Sequence, residues 1–361
     1  MIRPPSALKK LLWKLNLAEN WVFLIPVFSF LFMFTRWQAK GRDPDVGSTV
    51  AVVYTPPEGK GRPLLPGEIG SLTDDRLDNR DITASIVNLA VKGYLTIEEV
   101  KDDGGIFDGA DYRLERLKPA DDDLPIFEGK LLNKIFSGSA STVMISALKH
   151  QFYTSIPGLK EILTDNFRDM GYYTVDPSKV KRTYFQAGFV LLVCGMVFSG
   201  FLAKVVGGLT MKVLPAFALA GAVFMFFAPI MPAKTRKGAL ALRKVRGFEE
   251  FLTRAEKDRL ERMADKNLFE KYLPYAIALD VSDRWAAAFE GIYQEEPRWY
   301  VSSRRPEAFR PASFNRSLGT ALASMGETMY AAPRSSGSGG FSGGGGGFSG
   351  GGFGGGGGGS W

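Results

Sequence analysis

Three long apolar runs interrupt a chain whose remaining positions alternate between apolar and polar. The first, 20–37, meets no charge until Arg36, and the second (184–203) and third (213–231) contain none. Each approaches the roughly 17–25 residues that carry a helix across the hydrocarbon of a bilayer. A buried helix of a soluble domain keeps one polar face, and these runs have none. Trp21 and Trp37 bracket the first run and Tyr184 opens the second, the placement of interfacial aromatics. The pattern predicts three transmembrane helices.

Between the first two runs the period changes. Residues 38–66 hold Gly41-Arg42-Asp43-Pro44, Thr55-Pro56-Pro57-Glu58-Gly59 and Leu65-Pro66-Gly67, and read as a Pro/Gly tether. Asp81 is placed as the N-cap of a helix with Ile82, Ile86, Leu89 and Ala90 on one face, ended by Gly93. Tyr94 to Glu99 and Asp111 to Glu115 alternate as strands around the turn Asp102-Asp103-Gly104-Gly105. Helix, strand, turn, strand is the order of a winged helix. A looser second copy follows: a helix from Phe127 to Phe136, a short strand from Ser141 to Val143, helices from Ile145 to Phe152 and from Ile156 to Met170, then Gly171-Tyr172-Tyr173-Thr174-Val175, which echoes Gly93-Tyr94-Leu95-Thr96-Ile97. Residues 67–180 therefore read as a tandem winged-helix-like unit.

After the third run, 234–301 reads as a helical domain with Leu240, Phe248, Leu252 and Leu260 at buried positions, followed by a linker over 302–334. Seventeen of the 42 glycines lie in the tail 335–361, which cannot bury enough surface to offset its ordering entropy and reads as disordered. The expected fold class is a multi-pass α-helical membrane protein. It has α+β winged-helix-like cytoplasmic modules, a helical C-terminal module and a disordered Gly-rich tail.

Charge sharpens this picture. The net charge is +7, yet residues 36–183 carry 20 basic against 23 acidic groups, while 232–330 carry 18 against 14. Lys179, Lys181 and Arg182 precede the second run, and Lys234, Arg236, Lys237, Arg243, Lys244 and Arg246 follow the third. By the positive-inside bias, 38–183 and 232–361 are cytoplasmic and the N-terminus lies outside. Lys9, Lys10 and Lys14 oppose that assignment, and Leu8, Leu11, Leu12 and Leu15 make 1–19 an amphipathic segment for the interface. Phosphate binding needs a clustered basic face, and the expected wing carries Asp102, Asp103, Asp108 and Asp111 against Lys101 and Arg113, so nucleic acid is disfavoured as a partner. The acidic spacing does not match an EF-hand loop.

Candidate chemistry is sparse. One cysteine, Cys194, excludes an internal disulfide, and His150 is the one histidine available as a base near neutral pH. No charge lies inside the second or third run, which argues against an ion pathway there. The glycine spacing over 337–359 is preceded by no strand and followed by no helix, so it is not a dinucleotide fingerprint. No catalytic, cofactor-binding or metal residue is assigned and no cofactor is expected. The candidate interaction residues are Tyr94, Leu95, Phe269, Tyr272, Tyr275 and Trp285, with Phe341, Phe348, Phe353 and Trp361 as adhesive points of the tail, although aromatics at the spacings of 268–293 are most often core.

Gly41-Arg42-Asp43-Pro44, Tyr54 to Gly59, Asp81 to Ala84, Leu89 to Leu95, Gly247 to Leu252, Ala255 to Arg259, Phe269 to Ala276, Trp285 and the tail ending Ser360-Trp361 together carry a resemblance. The sequence resembles the DUF2207 predicted membrane proteins of bacteria, the family of the YciQ-like proteins. The resemblance implies a cell-membrane protein with a cytoplasmic soluble portion and no established activity. It also implies that this chain is a C-terminal portion, because family members begin with a signal peptide and an extracytoplasmic β-rich domain before their first span. The expected function is a membrane-anchored protein-interaction or signalling scaffold of the inner membrane, in contact with lipid, with protein partners or a second copy of itself. A membrane enzyme or transporter component, or a membrane-tethered DNA regulator, stands as the alternative.

Overall fold

A computed structural model describes residues 20–47, 50–100, 111–137, 140–205, 210–255, 260, 267–302 and 309–333. The expected amphipathic segment 1–19, the acidic turn residues Asp102, Asp103 and Asp108, and the tail 335–361 with Phe341, Phe348, Phe353 and Trp361 lie outside the described residues.

The apolar runs are helical. Helix α1 (Leu24–Arg36) is preceded by a 3-10 turn and followed by a π-turn over Trp37–Gly41. Helices α6 (Pro177–Val205) and α7 (Thr210–Phe227) are the other two, and all three are long and apolar enough to cross a membrane. Both α1 and α6 pack on α7, whose span is 33% buried against 11% for each of the others, so α7 is the middle helix. Small residues let the helices approach, as expected where lipid supplies no hydrophobic drive between them. A Cβ added at Gly188 of α6 would lie 2.6 Å from the carbonyl oxygen of Gly221 on α7, and one added at Gly221 would meet Gly188 equally closely.

The remaining elements make one body around one continuous core rather than separate modules. Its centre is α3 (Asn79–Val91), where every residue from Asp81 to Ala90 is buried. Helix α3 touches α2 (Pro66–Asp74), α4 (Ile126–Ile135), α9 (Leu268–Ala278) and α11 (Pro311–Tyr330). The N-cap of α3 is Asp78, not Asp81. Asp78 accepts from the amides of Arg80 and Asp81 at 3.0 and 3.3 Å, and Asp81 returns the bond to the Asp78 amide at 3.1 Å, a capping box. Three buried polar residues of α3 are satisfied within this region: Thr83 and Ser85 donate to backbone carbonyls of the preceding turn, and Asn88 reaches α4.

Beside α3 lies a hairpin of β3 (Leu95–Val100) and β4 (Asp111–Arg116), paired antiparallel with Ile97 opposite Leu114. Two short strands extend it, β5 (Thr142–Met144) along β4 and β6 (Tyr300–Val301) parallel to β3, in the order β5-β4-β3-β6. The second winged-helix-like copy does not close on itself. Its strand joins the first sheet, 145–155 forms two 3-10 turns in place of a helix before α5 (Ile156–Asp169), and 172–175 makes only an isolated bridge between Tyr173 and Lys234.

Two connecting stretches also prove structured. The expected linker 302–334 contains α11, whose Phe314, Leu318, Ala321, Leu322, Met325 and Met329 are buried; their spacing of three and four is a helical apolar stripe. The expected tether contains the two-residue strands β1 (Glu58–Gly59) and β2 (Arg62–Pro63), and upstream of them lies against α8 (Arg236–Thr253). There the Val53 amide donates to the Gly247 carbonyl at 3.1 Å and Tyr54 sets its ring edge-on to Phe251. Any side chain at 247 would collide with the Ala51 carbonyl oxygen, which explains the glycine.

Candidate functional site

The chain leaves or enters the three helices long and apolar enough to cross a membrane, called spans 1 to 3 in chain order, near one residue, Lys234. Its amide donates to Asp43 Oδ1 at 2.7 Å, just beyond the first span. Its backbone bridges Tyr173, four residues before α6 begins, and the next residue, Thr235, extends that contact through its amide to the Tyr172 carbonyl at 2.9 Å. Its ammonium reaches Asp75 Oδ1 at 2.6 Å, at the end of α2 in the soluble body. The Lys234 side chain is 4% exposed and that of Asp75 20%, so the lysine end of this ion pair is removed from water. Tyr173 donates its phenol to the same Asp75 oxygen, and Lys181 donates to the Asp75 carbonyl at 3.1 Å. Burial and the adjacent Asp75 push the Tyr173 phenol far above its ordinary range, which keeps it a donor. Asp75 holds φ of +60°, a left-handed conformation that ends α2 and turns this carboxylate toward Lys234.

Residues 43–47 and 50–53 are strapped along the chain from Lys234 into α8. Asp43 bonds the Lys234 amide, the Val46 carbonyl accepts from Arg243, and Val53 donates to the Gly247 carbonyl. The exit of the first apolar helix, the approach to the second, the exit of the third and the body thus meet at Lys234, whose ammonium pairs with Asp75 at 2.6 Å and lies 4.0 Å from Asp43 Oδ2. A cleft lined by Ser71, Asp75, Arg76, Lys160, Phe167 and Tyr173 opens beside it. Its volume is about 20 Å³, room for one water and not for a substrate.

A second polar network lies inside the body. Glu68 and Glu128 have no exposed surface. Arg62 grips Glu68 with two bonds, 2.8 and 2.6 Å, and Glu68 also accepts from the Leu65 amide that opens α2. Glu128 accepts from Asn88 at 2.5 Å and Lys92 at 2.6 Å, tying α4 to α3. Desolvating two carboxylates is costly, so a network of this kind contributes little net stability while fixing which helices meet. Asp81 is the third buried carboxylate. Burial, then the Asp78 charge, raises it well above the usual carboxylate range, with Ser71 donating to it at 3.1 Å.

Residues 62–289, more than half of the chain, match the family described as the C-terminal domain of a predicted membrane protein, DUF2207. The chain belongs to the DUF2207 family. Among curated proteins and among solved structures, nothing matches it. The DUF2207 match takes in α2 through α10 (Ser282–Ala288), hence spans 2 and 3, Lys234, Asp75 and both buried glutamates, while span 1 and α11 lie beyond it.

Within this DUF2207 chain the predicted interaction residues that are described lie in the core. Phe269, Tyr272, Tyr275 and Trp285 come together with Phe248 and Phe251. Tyr272 lies 6.0 Å from Trp285 and 6.2 Å from Tyr275 between ring centroids, and the Trp285 indole donates to the Phe269 carbonyl at 3.1 Å. All four side chains are buried in this cluster. Tyr94 and Leu95 are buried at the start of β3, apart from that cluster. The Tyr94 phenol donates to Asp121 at 2.5 Å, and Lys118 lies over its ring. His150 is exposed in a turn with φ of +61°. The sequence reading passed over Lys234, Asp75, Glu68 and Glu128. Glu128 alone left a signal, since it shares the apolar face of α4 with Leu131 and Leu132. Lys234 looked like any other membrane-flanking base.

Proposed function

We propose that this protein is a non-enzymatic, membrane-anchored interaction or signalling scaffold of the bacterial inner membrane. Its body faces the cytoplasm and its three spans hold that body at the bilayer. Beside the buried α3, the β3–β4 hairpin of this winged-helix-like order serves protein contact, and the tail 335–361 is the adhesive segment. The observation that carries the reading is the Lys234–Asp75 pair, where the span exits and the body share one buried contact. A shift or tilt of any span acts on that pair, and a buried pair does not yield gradually because half-broken it leaves a charge without water.

Two measurements test it. Affinity capture from membranes with the full chain, and with residues 335–361 removed, is expected to yield a specific partner that depends on the tail; no specific partner in either case overturns the scaffold reading. Lys234→Met is expected to strand Asp75 and to cost on the order of 3 kcal/mol in the docking of body to spans. Hydrogen exchange should report it as faster exchange at 43–47 and 171–176 while α3 stays protected, and Lys234→Met with Asp75→Leu should recover part of the loss.

A further inference from the structure

Trp37 and Tyr184 pack against the same small cluster of Met33, Phe227 and Met231, which places the three helices at one level of the membrane boundary. Exposed cations stand around that level. Arg36 and Lys40 lie within one turn of Trp37, and Arg182 and Lys179 lie two and five residues before Tyr184. At 1.5 Å per residue these last two are about 3 and 7.5 Å from the aromatic level, the depth of a headgroup layer. Arg236 and Lys237 open α8, five and six residues after Met231.

None of these six forms an ion pair among the described residues, whereas body cations such as Arg62, Lys92, Arg113 and Lys234 are paired. The acids closest to them in sequence are engaged. Asp43 accepts from the Lys234 amide, Asp45 from the Gly47 amide at 2.8 Å, and Asp176 from the Ser178 amide at 2.7 Å. Arg236 and Lys237 occupy the first turn of a helix with no acid beside them, where the helix dipole disfavours positive charge. Helix stability therefore does not account for their position.

We propose that this collar of Arg36, Lys40, Lys179, Arg182, Arg236 and Lys237 binds the headgroups of anionic phospholipids. The occupant is a lipid of the same bilayer, because all six cations lie within six residues of the Trp37, Tyr184 and Met231 level. A nucleic acid would instead require a continuous basic face on the body, where Arg62, Lys92 and Arg113 are paired with carboxylates. The collar rests on the membrane boundary alone, so its failure leaves the scaffold reading untouched.

The test uses the full chain, purified in detergent, offered equal amounts of phosphatidylglycerol and phosphatidylcholine, and weighed intact by native mass spectrometry. Retained phosphatidylglycerol should exceed phosphatidylcholine by at least about fivefold, the effect of a single basic residue near an anionic surface, and salt should reduce the excess. Changing the six residues to Gln should abolish the preference, while Lys130→Gln, Lys134→Gln and Lys149→Gln on the exposed body should leave it intact. Equal retention of both lipids by the unaltered protein overturns the proposal without any variant. So does a preference that survives the six changes or vanishes with the three body changes.

Discussion

The span bundle and the soluble body invert one another. In the body the largest side chains are enclosed, Trp285, Phe127, Phe136, Phe248 and Phe269 among them, and charge stays at the rim or is paired. In the bundle the large side chains point outward, as with Phe28, Phe201, Val197 and Phe226, and the helix contact is made by Gly188 and Gly221. The same residue types take opposite places because the surroundings differ. Water drives aromatic surface inward in the body, whereas lipid is as apolar as phenylalanine and leaves close backbone packing to decide the bundle. The boundary between the two regimes is where charge gathers, buried at Lys234 and exposed in the collar.

The sharpest way to break this contrast is to hollow the body. Trp285→Ala removes a fully buried indole that contacts Phe251, Tyr272 and Phe289, and should cost about 3–5 kcal/mol. Denaturant unfolding in detergent should show the body transition at lower midpoint while helical signal from the bundle persists. A loss under about 1 kcal/mol would mean that the aromatic cluster is not the core.

Asp81 sharpens the contrast through pH. Its carboxyl is raised in the folded state by burial. Between the unfolded value of about 4 and the raised folded value, the native state therefore holds more proton than the unfolded state. Stability contributed by this group is present at low pH and is lost as pH rises through that window. Asp81→Asn should remove that component, so the difference in unfolding free energy between variant and parent should grow in the variant's favour as pH increases. A flat difference would show that Asp81 is hydrated in the folded protein.

The smallest effect comes from an exposed pair. Val197 of α6 and Ile126 at the start of α4 are 69% and 67% exposed. Val197→Arg should hinder membrane insertion of the span by about 2 kcal/mol, since lipid surrounds it. Ile126→Arg should change the stability of the body by less than about 0.5 kcal/mol, since water does. Insertion and unfolding assays that gave both changes the same cost would remove the distinction between the two surfaces.

Particular residues show how far the chain could be read unaided. The face Ile82, Ile86, Leu89 and Ala90 foretold a helix, and Tyr94 to Glu99 and Asp111 to Glu115 foretold the β3–β4 hairpin, because each is a local periodicity. Thr83, Ser85 and Asn88 could not be read as buried, because their burial depends on neighbours from distant parts of the chain closing over α3. Helix α11 was missed for a related reason. Its stripe is legible, but Gly319 and Gly326 weaken its intrinsic propensity, and packing on α3 and α10 supplies what propensity does not. The aromatics of 268–293 read as candidate contacts and proved to be core.

By itself the sequence determined three helices long and apolar enough to cross a membrane, the charge asymmetry that flanks them and the DUF2207 resemblance. Length without charge, positive residues at the borders and short sequence motifs are all properties of contiguous chain. Only the tertiary structure decided that two expected modules share one core, that the second winged-helix-like copy gives its strand to the first, and that Lys234 differs from the bases around it. Lys234 and Asp75 are 159 residues apart in sequence, and one Lys among many becomes a buried ion only when the fold encloses it. No local pattern encodes which base will be enclosed, because the desolvation that distinguishes it comes from atoms elsewhere in the chain.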